Sequence, residues 1–302
     1  MPTLKEIKGR ISSVQSTLKI TSAMKLVSSA KLHKAQAAIA NMRPYEAQLQ
    51  RMLAQVSYGG KENALFSANN IADATEKESL PPATVIVAMA SNSSLCGGFN
   101  ANVVGKVREV LKEYPDAVVY SIGRKMADAM RKAGHPSPRD YSALAEHPAF
   151  GPSAKLAEEL MEDVHDGKVG KVLLVYNHFV STAKQVPVVE DLFSAAGDNS
   201  IPSANSIADA PGMESSPSED YILEPSAKEL FKALYPKTLK LKLYAALLDS
   251  AAAEHAARTV AMQTATDNGE DLLDELTLQY NKGRQQKITS EILDLASGQQ
   301  KE

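Results

Sequence analysis

Proline placement constrains this chain more than any other feature. After Pro2 there is none until Pro44, and after Pro236 there is none in the last 66 residues; most of the others fall between 81 and 225. Proline removes a helical hydrogen bond and clashes with the preceding turn. Both ends are therefore free to form long helices, and the middle is not. Pro44 is expected to kink or split the first of them.

Apolar spacing supports the same division. Leu4, Ile7, Ile11, Val14 and Leu18 alternate three and four apart, and Ala35, Ala38, Met42, Tyr45, Leu49, Met52 and Val56 do so again in a shifted phase. Such a repeat marks a two-helix seam, and the change of phase over 19–34 predicts a stutter. Near the other end, Leu241, Tyr244, Leu248 and Ala251 repeat the pattern. So do Leu273, Leu276 and Tyr280, and then Ile288, Ile292 and Leu295. Ala251, Ala252, Ala253, Ala256, Ala257, Ala261 and Ala265 would let two helix axes approach closely. A helix of about 60 residues runs roughly 90 Å. The simplest arrangement is an antiparallel coiled coil of the two ends, with the rest of the chain inserted between them.

The middle alternates in type. Strands are expected at Thr84–Ala90 (TVIVAMA), Ala117–Ile122, Lys171–Asn177 and Gln185–Phe193, with helices at Asn100–Glu113, Arg124–Ala133 and Ser153–His165. This pattern predicts a Rossmann-like α/β domain with a mostly parallel sheet. The expected boundaries are 1–57 and 226–302 for the discontinuous coiled coil and 81–225 for the α/β domain. Residues 58–80 read as a linker, and 195–220, rich in Ser, Pro, Asp and Ala, as a flexible loop.

Composition excludes several classes. Aromatics are 5% and Trp is absent, which suits Ala- and Leu-rich helices better than a compact enzyme core. Net charge is −3, against general nucleic-acid affinity, although residues 1–50 hold eight Lys and Arg (Lys5, Lys8, Arg10, Lys19, Lys25, Lys31, Lys34, Arg43) against Glu6 and Glu46. That stripe suits an acidic protein partner or a solvated helix face, since it lacks the interleaved aromatics of a nucleic-acid platform. Cys96 is the single cysteine, so no intrachain disulfide forms. The opening MPTLKEIKGRISSV has no apolar run that reads as a signal peptide, and no segment has the roughly 18 apolar residues of a membrane span.

Candidate chemistry is thin. Ser91–Asn100 (SNSSLCGGFN) lies between a strand and a helix, where α/β folds bind phosphate, but it has neither a GxxxxGK nor a GxGxxG pattern. A tight turn using Gly97 and Gly98 for backbone freedom is favoured. Pairing Cys96 with His178 as nucleophile and base has no support in spacing, and a lone Cys is more often packing. The six histidines (33, 135, 147, 165, 178, 255) show no metal spacing. Asp271, Asp274 and Glu275 read as an outer helix face.

Two segments carry more specific information. TLKITSAMKLVSSAKLHKAQ (17–36) resembles the N-terminal signature of the gamma subunit of the F-type rotary ATP synthase. EHAARTVAMQTATDNGEDLLDELTLQYNKGRQQKITSEILDLASG (254–298) resembles its C-terminal signature. LCGGFN (95–100) and Gln185–Val186–Pro187 are similar to lesser family motifs. The resemblance implies a central rotor shaft made of the two terminal helices, its tip inside a ring of alpha and beta subunits. The α/β domain would lie at the base, against the epsilon subunit and the ring of c subunits. Proton flow would turn ring and shaft together and drive the beta subunits through ATP synthesis or its reversal. The resemblance implies no catalytic residue, no cofactor and no metal, and contact with the membrane only through partners.

Residue by residue, it implies beta-subunit contacts at Met24 in the ITxAM motif, at Arg258, Gln285 and Thr289, and at the carboxylates Glu254 and Glu291. Lys25 would add positive charge beside one of them, and Ile288, Ile292 and Leu295 would form the shaft tip. The family has Asp-Arg-Gly before LCGG where this chain has Asn92, Ser93 and Ser94. One cysteine excludes the paired-cysteine redox switch of plastid forms, and a bacterial chain at the cytoplasmic face of the plasma membrane is expected. Two other classes stand beside this one. A nucleotide-binding enzyme would use the loop at 91–100, and a basic coiled-coil adaptor for nucleic acid would bind salt-sensitively through residues 1–50. Neither explains both end signatures together.

Overall fold

The computed structural model describes residues 3–58, 83–193, 224 and 226–298. The linker expected over 58–80 falls, from 59 on, outside the described residues, as does the loop expected at 195–220. Among the described residues ten elements follow in order: α1 Leu4–Tyr58, β1 Ala83–Met89, α2 Phe99–Glu113, β2 Val118–Ile122, α3 Arg124–Lys132, α4 Ser142–Glu146, α5 Phe150–His165, β3 Val169–Phe179, β4 Gln185–Asp191 and α6 Ala227–Gly298. They form two compact units, Lys31–Ala257 and Met1–Ala30 with Arg258–Glu302.

In the larger unit four strands form a mixed sheet in the order β2-β1-β3-β4. β1 pairs in parallel with β2 and β3, and β4 runs antiparallel along β3, with Val175 opposite Val189. β1 is central, and its residues from Val85 to Met89 are buried whichever way they point, which is why TVIVAMA reads as a continuous apolar run rather than an alternation. Val85, Val87, Met89, Leu174 and Tyr176 pack against Leu156 and Leu160 of α5 and Leu239, Leu243 and Leu247 of α6. On the opposite face, Ile86, Ala88 and Val175 pack against Val103 and Val107 of α2 and Met126 and Met130 of α3. The short α4, invisible to periodicity at five residues, adds Leu144 to the first layer.

Two expectations about α1 are corrected. The helix runs through Pro44 without a break. Losing one helical hydrogen bond costs about 3 kcal/mol, and the buried Leu32 and Leu49 hold the helix on either side. Nor is there a stutter. Leu4, Ile7, Ile11, Val14, Leu18, Thr21, Lys25, Ser28, Leu32, Ala35, Ile39, Met42, Glu46, Leu49 and Leu53 are all buried or half-buried and keep one unbroken three-four spacing, while Tyr45 and Met52 are exposed. The seam is simply polar at Thr21, Lys25, Ser28 and Glu46, which hides its phase from a search for apolar residues.

The turn from β2 to α3 has one strict requirement. Gly123 has φ +95°, and a Cβ there would lie 2.1 Å from the Ala90 carbonyl oxygen. Gly123→Ala is expected to destabilise this unit by about 3 kcal/mol through combined strain and clash. Urea unfolding followed by circular dichroism measures it, and an unchanged midpoint would refute the requirement.

Candidate functional site

The loop at 91–100 is closed by its own side chains. The Ser91 N–H donates to Asn100 Oδ1 (3.1 Å), and the Ser91 hydroxyl to the Ser93 carbonyl (2.5 Å). Asn100 Nδ2 donates to Cys96 Sγ at 3.1 Å. Gly97 takes φ 56°, as a tight turn requires, but Gly98 sits at φ −80° and needs no glycine freedom; the second left-handed residue is Leu95, at φ 66°. Cys96 is buried with Phe99 against Ala253 and Ala257 of α6, so the motif LCGGFN works as a plug onto that helix. A pocket lined by Met89, Ala90, Leu144, Leu247, Ser250 and Glu254 has room for about one water, far too little for a nucleotide.

Asn92 stands where the family pattern has an aspartate. Its Nδ2 donates to the Ser142 carbonyl (2.8 Å) and its Oδ1 accepts from the Arg124 N–H (3.0 Å). One carboxamide thus ties the start of α3 to the start of α4, and an aspartate supplies only the accepting half.

His178 does not serve Cys96 as a base. Its Nδ1–H donates to Asp249 Oδ2 on α6 at 2.5 Å, and Asp249 Oδ1 accepts the Phe179 N–H at 3.1 Å. This fastens the end of β3 to α6. The hydrogen bond to Asp249 raises the His178 pKa, with burial opposing it. Nearby, the Tyr176 hydroxyl donates to Glu190 Oε1 (2.8 Å) and Lys242 Nζ to the Asp191 carbonyl (2.6 Å). Burial, then repulsion from Glu190, raises the Glu46 pKa, and burial lowers that of Lys242. Among the described residues no cluster of His, Cys, Asp or Glu is placed to hold a metal ion, and no helix is long and apolar enough to cross a membrane.

The smaller unit is a pair of helix segments in contact. A Cβ on Gly283 would meet Leu4 Cδ2 at 3.2 Å, and one on Gly269 would meet Leu18 Cδ2 at 2.7 Å. Thr266 Oγ1 donates to Thr21 Oγ1 at 2.9 Å. As α1 advances from residue 4 to 21, its partner falls from 283 to 266, so the segments run antiparallel in constant register. Counting from these contacts places the Ile7, Ile11 and Val14 levels opposite Tyr280, Leu276 and Leu273; Ile7 and Leu276 are among the buried residues.

The residues expected to touch partners divide into three sets. Met24 and Lys25 are half-buried. Glu254 and Arg258 are each 8% exposed, buried by the chain itself. Gln285, Thr289, Glu291, Ile288, Ile292 and Leu295 are exposed, beyond the point where Leu4 faces Gly283. Thr289 turns its hydroxyl back to the Gln285 carbonyl (2.9 Å), and Lys287 Nζ stands 3.8 Å from Glu291. Sequence reasoning missed the other apolar residues of this unit that are more than half exposed, Ile20, Leu26, Val27, Leu278 and Leu293. Their signal was available, because they are large apolar residues off the seam spacing.

Two predictions follow from the larger unit. Asn92→Asp, lacking the donor to Ser142, is expected to lower stability by about 1–3 kcal/mol, read as a shift of the urea midpoint. The raised His178 pKa means the folded chain holds that proton more tightly. Its contribution is full below the ordinary value of 6.5 and fades as pH rises through the raised folded value. Stability measured from about pH 6 to pH 8 should therefore fall more steeply in the wild type than in Asp249→Asn; equal slopes contradict it.

Comparison with known proteins places these features. Residues 3–300 match the family described as ATP synthase. The ATP synthase gamma chain of Phocaeicola vulgatus is 43% identical over 99% of both chains, and that of Flavobacterium johnsoniae is 39% identical over 99% of this chain and 98% of its own. Among solved structures, a chain of the Euglena gracilis mitochondrial ATP synthase (OSCP/F1/c-ring, rotational state 3) aligns with TM-score 0.62 at 18% identity, covering 98% of this chain and 93% of that one. A chain of the Tetrahymena thermophila central stalk and c-ring aligns with TM-score 0.54 at 20% identity, covering 82% and 99%. The chain belongs to the ATP synthase gamma-chain family.

Proposed function

We propose that this chain is the central rotor shaft of an F-type ATP synthase, a non-catalytic subunit that transmits torque between a proton-driven membrane ring and a catalytic hexamer of alpha and beta subunits. The observation that carries this is the antiparallel helix pair of the smaller unit, with its outer apolar surface. Ile20, Leu26, Val27, Leu278, Ile292, Leu293 and Leu295 stand more than half exposed on it. Apolar rows of this kind on a helix surface suit a partner better than water. Solved chains of similar fold come from the central stalk, rotor and c-ring assemblies of mitochondrial ATP synthases.

On this reading the terminal helices form a coiled coil, 1–57 with 226–302, and 81–225 is a Rossmann-like α/β domain at the base, against the epsilon subunit and the c-ring. Met24, Lys25, Gln285, Thr289 and Glu291 meet the beta subunits, and Ile288, Ile292 and Leu295 form the tip. Glu254 and Arg258, each 8% exposed in the free chain, meet a beta subunit through the small surface they leave open. An asymmetric rod turning among equivalent partners makes different contacts with each, and differential contact is what biases a partner's conformational equilibrium. The complex sits at the cytoplasmic face of a bacterial plasma membrane, with the membrane reached only through partners. The turn at 91–100, filled by its own side chains, favours this reading over a nucleotide-binding enzyme.

Co-expression with cognate alpha and beta subunits tests the proposal. The full chain should co-elute with the hexamer and support sustained ATPase activity that the chain alone lacks, and a chain ending before Ile288 should support less. A full chain that elutes alone and leaves activity unchanged rules the shaft out.

A further inference from the structure

The seam of the smaller unit repeats every seven residues, so apolar contact alone does not fix which turn of one helix faces which turn of the other. We infer that Leu18 with Gly269, seconded by Leu4 with Gly283 and Thr21 with Thr266, is a register lock that stops the two helices sliding along each other. Its bearing on torque rests on the shaft reading.

At most seam levels two side chains share the space. At Gly269 one side is empty, and Leu18 fills it so closely that a Cβ would lie 2.7 Å from Leu18 Cδ2. Gly283 offers Leu4 a second, slightly looser hole, where a Cβ would still lie a tight 3.2 Å from Leu4 Cδ2. A slide of one heptad in one direction brings Leu18 against Leu276, turns Gly269 to Lys25 and sets the Thr21 hydroxyl against Leu273. The level at 18 is then overpacked, the level at 269 holds a lysine over a glycine, and the Thr pair is broken. A slide in the other direction sets Leu18 against Met262 and Leu4 against Leu276, again overfilling two levels. In that direction Thr21 meets Thr259 and Ile11 comes against Gly269, so the threonines and Gly269 oppose the first slide, and the overfilled levels at Leu18 and Leu4 oppose the second. Overpacking and unfilled holes are each destabilising in a close-packed seam, and a polar pair at one seam level specifies register in paired helices. In a rod loaded by torque, slip would change which exposed residues stand at which height. Leu18, Gly269 and Thr21 are in this sense positioning residues, acting through the surface they hold in place.

The test uses the full-length chain with Thr21→Cys and Thr266→Cys, oxidised mildly and read as an intramolecular cross-link by gel mobility; native Cys96 is 1% exposed and does not compete. Adding Gly269→Leu fills the hole and is expected to slow cross-linking at least about tenfold, the consequence of losing about 1.4 kcal/mol or more of preference for the native register. Adding Leu18→Ala as well moves the knob to the other helix and should restore the rate to within about twofold. An unchanged rate in Gly269→Leu, or no restoration in the double variant, overturns the lock. In the assembled complex without the added cysteines, Gly269→Leu should lower the ratio of protons pumped to ATP hydrolysed, and Leu18→Ala should recover it. If the cross-links behave as expected but this ratio does not move, the role in torque is overturned while the lock stands. If the unmodified full chain elutes apart from the alpha and beta subunits and leaves their activity unchanged, the shaft reading itself has failed.

Discussion

Burial of the Leu239, Leu243 and Leu247 stripe of α6 against one face of the sheet is the interaction on which the larger unit depends. These residues join Val85, Val87, Met89 and Leu174 in one cluster, and Leu243 is fully buried. Burying a leucine side chain contributes about 1.5–3 kcal/mol, so the stripe anchors α6 before any polar contact forms. Once it is seated, α6 becomes a template. Ala253 and Ala257 receive Cys96 and Phe99 from the turn after β1, and Ala252 and Ala256 receive Leu32 from α1. Small residues are needed here because each neighbour inserts a large one.

The polar contacts refine this apolar arrangement. Asp249 lies on the same helix, six residues beyond Leu243, and takes both the His178 ring and the Phe179 N–H. It satisfies groups at the end of β3 that the sheet leaves open. Asn92 plays a comparable part at the same end of the sheet, after β1, where it joins the start of α3 to the start of α4. Neither contact drives the fold, but each removes a freedom that apolar packing leaves.

Much of this was legible in the chain itself. The β1 run, buried on both faces, has no competing reading, and the two end signatures led to the family to which the full-length comparisons assign the chain. What was misread shares one physical cause: side chains were judged by polarity where size or backbone decided. Thr21, Lys25 and Ser28 sit in the α1 seam because a hydroxyl or an aliphatic stem fits there, so an apolar filter broke one continuous repeat in two. Gly98 looked like a conformational necessity, whereas the left-handed positions around this turn are Leu95, Gly97 and Gly123. The pairing of His178 with Asp249 was out of reach, since 71 residues separate them and neither lies in a motif.

The two helix segments of the smaller unit meet a different demand from the α/β unit. A globular core is fixed by closing on itself, so each layer limits the next. A two-helix seam is periodic, and its energy is nearly the same at every heptad unless something breaks the repeat. In this chain the break is made by absence, through glycines at 269 and 283 facing Leu18 and Leu4. Glycine is unfavourable in a helix interior by about 1 kcal/mol, so two of them inside α6 are a local cost. That cost is offset where they sit, because a larger residue at either level would collide with the leucine opposite. A helix that sacrifices propensity at two seam levels, and keeps apolar side chains at Leu273 and Leu276 between them, gives up some local stability for a single defined alignment.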